Sequence, residues 1–223
     1  MNPQRDGEAA LRRAVIVAAQ ALNRLRINQG TSGNVSARLA SGEGLLVTPS
    51  GVAYERLAPR DIVALDSDGV PRPEARWAPS SEWRMHLAIY AARDDAGAIV
   101  HTHGPFSTTL ACLQRPIPAF HYMVGKAGGA DIRCAPYATY GTEQLARLAV
   151  EALCDRRACL LAHHGMIAIG STVDEALAMA IDVESLAEVY WRALQIAEPA
   201  LLSAEEMAVV VEKFGRYGPH RGP

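Results

Sequence analysis

The stretch "AGAIVHTH", residues 96–103, decides the architecture. A short apolar run of this kind reads as a buried β-strand. Residues i and i+2 of a strand share a face, so His101 and His103 point the same way and can reach one ion. Imidazole nitrogens suit zinc and neighbouring transition metals. At this stage a pair of strand histidines without an ion fits the pattern equally well.

Working downstream, "FSTTLACL" reads as a short helix and "GTEQLARLAVEALCD" as a longer one capped by Thr142. "ACLLAHHGMIAIG" holds two strand-like runs around His163, His164 and Gly165. Only one of two adjacent histidines can face a given side, and the glycine permits a tight backbone. This turn supplies a third imidazole to the same ion, or it is a solvated polar turn. "STVDEALAMAIDVESLAEVYWRALQIA" is a long helix with an apolar stripe. "SAEEMAVVVEKFGRYG" opens with a capping box, Ser203 to Glu206, and is expected to end at Gly218, with a loose tail beyond.

Upstream, residues from about 8 to 27 carry apolar side chains at helical spacing. "NQGTSGN" interrupts them. "VSARLA" and "GLLVTPS" form a hairpin about "SGEG", and "IVALDSDGVP" is a strand running into an Asp-Gly turn. "PSSEWRMHLAIYAAR" starts a helix at Pro79 and Ser80. Glu82 lies in its first turn, where the dipole favours an anion. It is either an exposed acid or a carboxylate ligand to the ion. Three histidines and a carboxylate, with no cysteine, suggest a catalytic rather than a structural metal site. Strands and helices mix without strict alternation, so the expected fold is one layered α/β domain over 1–223.

The 223 residues are 49% hydrophobic and 21% charged, with net charge −2. That balance gives no general drive toward nucleic acid or a membrane surface. No apolar run reaches the roughly 18 residues of a spanning helix, and no cleavage signal follows the first helix. The four cysteines, Cys112, Cys134, Cys154 and Cys159, form no C-x-x-C pair. They read as reduced, mostly buried thiols of a cytoplasmic protein.

Three short stretches rich in Gly, Ser and Thr precede elements: "GTSGN" (30–34), "TPSG" (48–51) and "PSSE" (79–82). Their backbone N–H groups and hydroxyls can approach an oxyanion, and Ser80 and Ser81 stand at a helix N-terminus. Each alone is an ordinary turn. Together with a metal set they imply a phosphorylated carbonyl substrate.

Eight landmarks now stand in order: "NQGTSGNVSAR", "TPSG", "PSSEWRMHLAIY", "IVHTHG", "IPAFHYM", "CAPYATYGT", "HHGMIA" and "VVVEKFGRYG". Along nearly its whole length the chain resembles the class II sugar-phosphate aldolase and epimerase family, and most of all its L-fuculose-phosphate aldolase branch. The resemblance implies a three-layered α/β/α domain with a mainly antiparallel central sheet. It implies a cytoplasmic homotetramer with active sites at subunit interfaces. It implies one Zn2+ per subunit, or another divalent transition metal, on Glu82, His101, His103 and His164, leaving His163 a structural role.

The phosphate seat implied by the resemblance falls on Gly33, Asn34, Ser50, Gly51, Ser80 and Ser81. The aromatic residues that shape the reaction fall on Tyr122, Tyr140 and Tyr217. Ser50 replaces a common threonine, Tyr140 a common phenylalanine and Lys126 a small residue. The implied reaction is reversible cleavage of a ketose 1-phosphate, such as L-fuculose 1-phosphate, to dihydroxyacetone phosphate and an aldehyde such as L-lactaldehyde. Zinc would act as Lewis acid on the enediolate, with Glu82 moving the proton and Tyr122 acting from a neighbouring subunit on the aldehyde oxygen. Only Lys126 and Lys213 are present, and neither sits in a Schiff-base motif. Related readings are a 5-deoxypentulose-1-phosphate aldolase, a methylthioribulose-phosphate dehydratase and L-ribulose-5-phosphate 4-epimerase. A non-enzymatic adducin-like domain would lack the metal ligands.

Overall fold

The apolar run of 96–103 supplies the middle strand of a seven-stranded sheet. This computed structural model describes residues 3–216, with side chains described from residue 7. The strands are β1 (Asn34–Arg38), β2 (Leu45–Val47), β3 (Val63–Leu65), β4 (Ala98–Thr102), β5 (Arg133–Ala135), β6 (Ala158–Leu161) and β7 (Gly165–Gly170). They lie in the order β3-β2-β1-β4-β7-β6-β5. Every neighbouring pair is antiparallel except β5 and β6.

The helices are α1 (Pro3–Arg24), α2 (Trp83–Ala92), α3 (Pro105–Cys112), α4 (Glu143–Ala152), α5 (Val173–Leu194) and α6 (Ala204–Gly215). Three short 3-10 helices lie at Tyr54–Arg56, Pro59–Asp61 and Tyr122–Ala127. The alternation of the strands assigns the layers. In β4, Ala98 and Val100 pack with α1, α3 and α5, whereas Ile99 packs with α2 and α4. Burying a Leu or Ile side chain on either face contributes about 1.5–3 kcal/mol. The result is the expected α/β/α sandwich, and its mainly antiparallel sheet agrees with the reading of the sequence.

Several boundaries differ from that reading. The first helix starts at Pro3 and stops at Arg24 rather than near 27. Arg26 takes a left-handed φ of 59°, and the Ile27 N–H returns to the Leu22 carbonyl at 3.0 Å. That bond closes a Schellman-type end and turns Ile27 into the core. The last helix ends at Gly215, and Gly218 with its tail lies outside the described residues. β5 was not expected at all. Cys112 and Cys154 are exposed, contrary to the expectation of mostly buried thiols. No described helix is long and apolar enough to cross a membrane.

Candidate metal centre and adjoining cleft

His101 projects from β4 toward α2, His103 follows one residue beyond the strand, and His164 comes from the turn between β6 and β7. His163 holds a left-handed φ of 55° in that turn, and its N–H is anchored to the Ala111 carbonyl. The sharp reversal turns His164 inward and leaves His163 exposed, beside Gln114 and the Tyr137 ring. Gly165 is required for a steric reason. A Cβ there would stand 2.6 Å from the Thr102 carbonyl oxygen and 2.9 Å from the His103 ring.

The three imidazoles meet edge to face, with ring centroids 4.8, 4.8 and 5.0 Å apart. One nitrogen from each lies within 4.8 Å of the other two. His101 is fully buried, and its Nδ1 donates to the Met166 carbonyl at 3.0 Å. That bond aims Nε2 at the centre of the cluster. His103 Nε2 approaches it at 2.9 Å. The buried Glu82 carboxylate closes the group, with Oε2 3.1 Å from His101 Nε2 and Oε1 3.2 Å from His164 Nε2. Glu82 is the N-cap residue of α2, so the helix start carries it to the histidines.

The electrostatics favour a cation. Burial alone would raise the Glu82 carboxyl, but His101, His164 and the Asn34 amide outweigh it and hold it well below the usual carboxylate range. Burial and the charge on His101 push His103 down to about 3 and His164 to about 4. Burial opposes charge on His101 too, yet contact with Glu82 and the Met166 carbonyl raises it. Two imidazoles therefore keep bare nitrogens around one carboxylate. Glu82 Oε1 is buried without a hydrogen-bond partner. Such an orphan calls for an explanation, and the three imidazoles beside it form a group that could hold a divalent ion.

The other expected residues divide into two places. Ser81, Tyr140, His103, His163 and His164 line one cleft of about 360 Å³ with Glu82. The stretches 48–51 and 79–82 lie side by side, joined at Pro49 and Pro79. The Ser50 N–H donates to Ala78 O and the Ser80 N–H to Thr48 O, both at 3.0 Å. Thr48 also bonds Val35, next to Gly33 and Asn34. All three turn stretches thus converge beside the cluster. Ser50, Gly51 and Ser81 are exposed, while Ser80 and Gly33 are buried. The Asn34 amide is already engaged, donating to Glu82 Oε2 at 3.0 Å and facing His86 on its other side.

Tyr122 lies elsewhere. It stacks on His121 and Phe214 in a separate cleft of about 560 Å³ shared with Lys126. Lys126 pairs with Asp182 of α5. Tyr217 lies outside the described residues. The sequence reading also missed His86, Ser36 and Tyr90, which form a buried polar row behind Glu82. A signal existed: Glu82, His86 and Tyr90 recur every fourth residue along α2.

Residues 13–191 match the family described as Class II Aldolase and Adducin N-terminal domain. A 5-methylthioribulose-1-phosphate/5-deoxyribulose-1-phosphate aldolase of Rhodospirillum rubrum is 58% identical over 209 residues, covering 94% of this chain and 93% of that one. An L-fuculose phosphate aldolase of Escherichia coli is 48% identical, covering 93% of this chain and 95% of its own. The solved structure of an L-fuculose 1-phosphate aldolase superposes with a TM-score of 0.89 at 40% identity, covering 92% of this chain and 96% of that one.

The chain belongs to the class II aldolase and adducin N-terminal domain family. Within it the chain is an aldolase of sugar phosphates, a lyase of a metal-dependent class.

Proposed function

We propose that the chain catalyses reversible, metal-dependent cleavage of a ketose 1-phosphate to dihydroxyacetone phosphate and an aldehyde. The observation that carries this reading is the orphaned Glu82 Oε1 among three convergent imidazoles, at the edge of a cleft floored by Ser81. Glu82, His101, His103 and His164 would hold the ion, with Zn2+ favoured by the nitrogen-rich set. When bound, it supplies a Lewis acid for the ketose carbonyl. Ser50, Ser80 and Ser81, with the backbone at Gly33 and Gly51, receive the phosphate. The Asn34 side chain serves Glu82 instead.

In the cleavage direction the C4 hydroxyl loses its proton, the C3–C4 bond breaks and its electron pair moves toward the carbonyl. Glu82, a carboxylate beside the cluster, takes a proton from solvent and delivers it to C3, while the C4 hydroxyl proton leaves through Tyr122 to solvent. Tyr122 exchanges the proton of the C4 oxygen. Its position away from this chain's cluster supports a homotetramer in which each site borrows it from a neighbour. Tyr140 lines the cleft shared by Ser81, Glu82 and His164, and Tyr217, assigned the exclusion of water, lies outside the described residues. We place the enzyme in the cytoplasm. All four ligands are present, which argues against an inert adducin-like role.

For the aldehyde half, the 58% likeness to an enzyme named for methylthioribulose and deoxyribulose phosphates, against 48% for a fuculose enzyme, supports a 5-deoxypentulose 1-phosphate over L-fuculose 1-phosphate. The test is release of dihydroxyacetone phosphate by zinc-loaded enzyme from 5-deoxyribulose 1-phosphate, methylthioribulose 1-phosphate and L-fuculose 1-phosphate. The expected order of kcat/KM puts the first two ahead. Inversion of L-ribulose 5-phosphate with no cleavage of any of these would replace the aldolase reading by an epimerase.

A further inference from the structure

Asn34, Ser36 and Arg38 alternate on one face of β1, the face that meets α2. Glu82, His86 and Tyr90 recur on one stripe of α2. Four residues of helix advance about 6 Å and two residues of strand about 6.6 Å, so the two rows stay in step when packed. They interlock completely. Asn34 Nδ2 meets Glu82 Oε2 at 3.0 Å, and its Oδ1 meets His86 Nε2. Ser36 Oγ meets His86 Nδ1 at 2.7 Å and the Tyr90 hydroxyl at 2.8 Å. Asn34, Ser36, His86 and Tyr90 are all buried.

Donor counting gives this row a single direction. An ionised carboxylate only accepts, so the Asn34 NH2 group must face Glu82 and its carbonyl must face His86. A carbonyl only accepts, so His86 Nε2 must carry the hydrogen. Burial pushes His86 down to about 3, so its ring is neutral and owns one N–H. Nδ1 is therefore bare, Ser36 must donate to it, and Tyr90 must donate to Ser36. Running the row backwards would require a flipped Asn34 and a proton on Glu82 Oε2.

We propose that His86 is a positioning residue: through the directed chain Tyr90 to Ser36 to His86 to Asn34 it pins Glu82 Oε2 as a permanent acceptor and leaves Oε1 as the oxygen that meets the ion and carries the proton. The proton-carrying part rests on the role given to Glu82 above; the pinning of the carboxylate does not. The chain is a one-sided clamp. It fixes Glu82 between His101 and His164 while Oε1, which has no hydrogen-bond partner, stays free to work.

The test uses the full-length protein stripped by chelator and titrated with Co2+ alone, whose visible absorption reports its coordination. His86→Phe keeps the ring but removes both nitrogens. Its Co2+ affinity is expected to fall about 10- to 100-fold, as for other groups that orient a metal ligand. The Co2+ band should shift. His86→Gln, which restores an N–H donor toward Asn34, should recover most of the affinity.

A folded His86→Phe protein with Co2+ affinity within threefold of the parent and an unmoved spectrum would overturn the proposal. So would a His86→Gln protein no better than His86→Phe, since packing alone would then explain the loss. If His86→Phe does not fold, Ser36→Ala takes its place: weakened Co2+ affinity supports the chain, and unchanged affinity overturns it. A parent enzyme that cleaves no ketose phosphate would sink the proposed reaction but leave the Co2+ titration readable.

Discussion

The histidine cluster and the Tyr122 helix carry the two halves of the expected chemistry, and they are built in opposite ways. The cluster hangs on the central strands β4 and β7 and on the start of α2. Its His101 is fully buried, and each member has a neighbour in the group within 3.2 Å. Tyr122 sits on a six-residue 3-10 helix, 53% exposed, stacked on the last described helix. The residues proposed to hold the metal all come from one chain. The phenol half is presented outward, in a cleft of its own. A site assembled from both must bring the second half from elsewhere, and that is the physical content of the oligomer proposal.

The largest effects should come from breaking the cluster. His101→Ala, or removal of the metal by chelator, costs several kcal/mol of Lewis-acid stabilisation, about 1,000-fold or more in kcat/KM. Re-addition of Zn2+ should rescue the chelated parent and not the variant. Glu82→Gln keeps the shape and removes the proton carrier. A loss of about 100- to 10,000-fold in kcat is expected, and near-parental turnover would sink the role given to this carboxylate.

Tyr122→Phe should lower kcat by about 100-fold. Mixing and refolding Tyr122→Phe with His101→Ala subunits should then recover activity above that of either parent variant, because some sites would pair an intact cluster with an intact phenol. Unchanged activity in Tyr122→Phe, or no recovery in the mixture, would break the contrast between the two regions.

Smaller effects appear in stability. Gly165→Ala forces a methyl against the Thr102 carbonyl and the His103 ring. Overpacking of this kind costs about 1–3 kcal/mol, measurable as a lower urea midpoint.

The gentlest lever is pH. His86, pushed down to about 3 in the fold, takes its proton near 6.5 in the unfolded chain. Its contribution is whole above 6.5 and is lost as the pH falls toward 3. His103 and His164, lowered to about 3 and about 4, act in the same sense in metal-free protein. Glu82, also lowered, contributes above its unfolded value of 4.5 and loses that as the pH falls further. His101 is raised and works the other way, stabilising below 6.5 and losing that as the pH climbs through its folded value. The urea midpoint of stripped protein should therefore fall between pH 6.5 and 4, with a slope of at most about 1.4 kcal/mol per pH unit for each group. His86→Gln should flatten it.

Much of this was legible in the residues because it is local. The apolar run ending in His101 and His103 announces a buried strand, and their i, i+2 spacing a shared histidine face. Thr142 and Ser203 sit where caps belong, and their side chains accept from the Leu145 and Glu206 N–H groups. The short elements were not legible. β5 has three residues, too few to show a period, and exists because it pairs with β6. The helix at Tyr122–Ala127 contains a glycine and a lysine and follows no stripe.

The sequence by itself determined which residues can be ligands, because side-chain chemistry and strand or helix period are properties of neighbours along the chain. Only the tertiary structure decided which oxygen of Glu82 is bonded and which is bare, and how the backbone at His163 turns His164 inward. It alone showed that Asn34, Ser36 and Arg38 face a helix instead of water. Those outcomes depend on β1, α2 and the β6–β7 turn meeting across long stretches of chain. Hydrogen-bond direction is settled only when every partner in the row is in place.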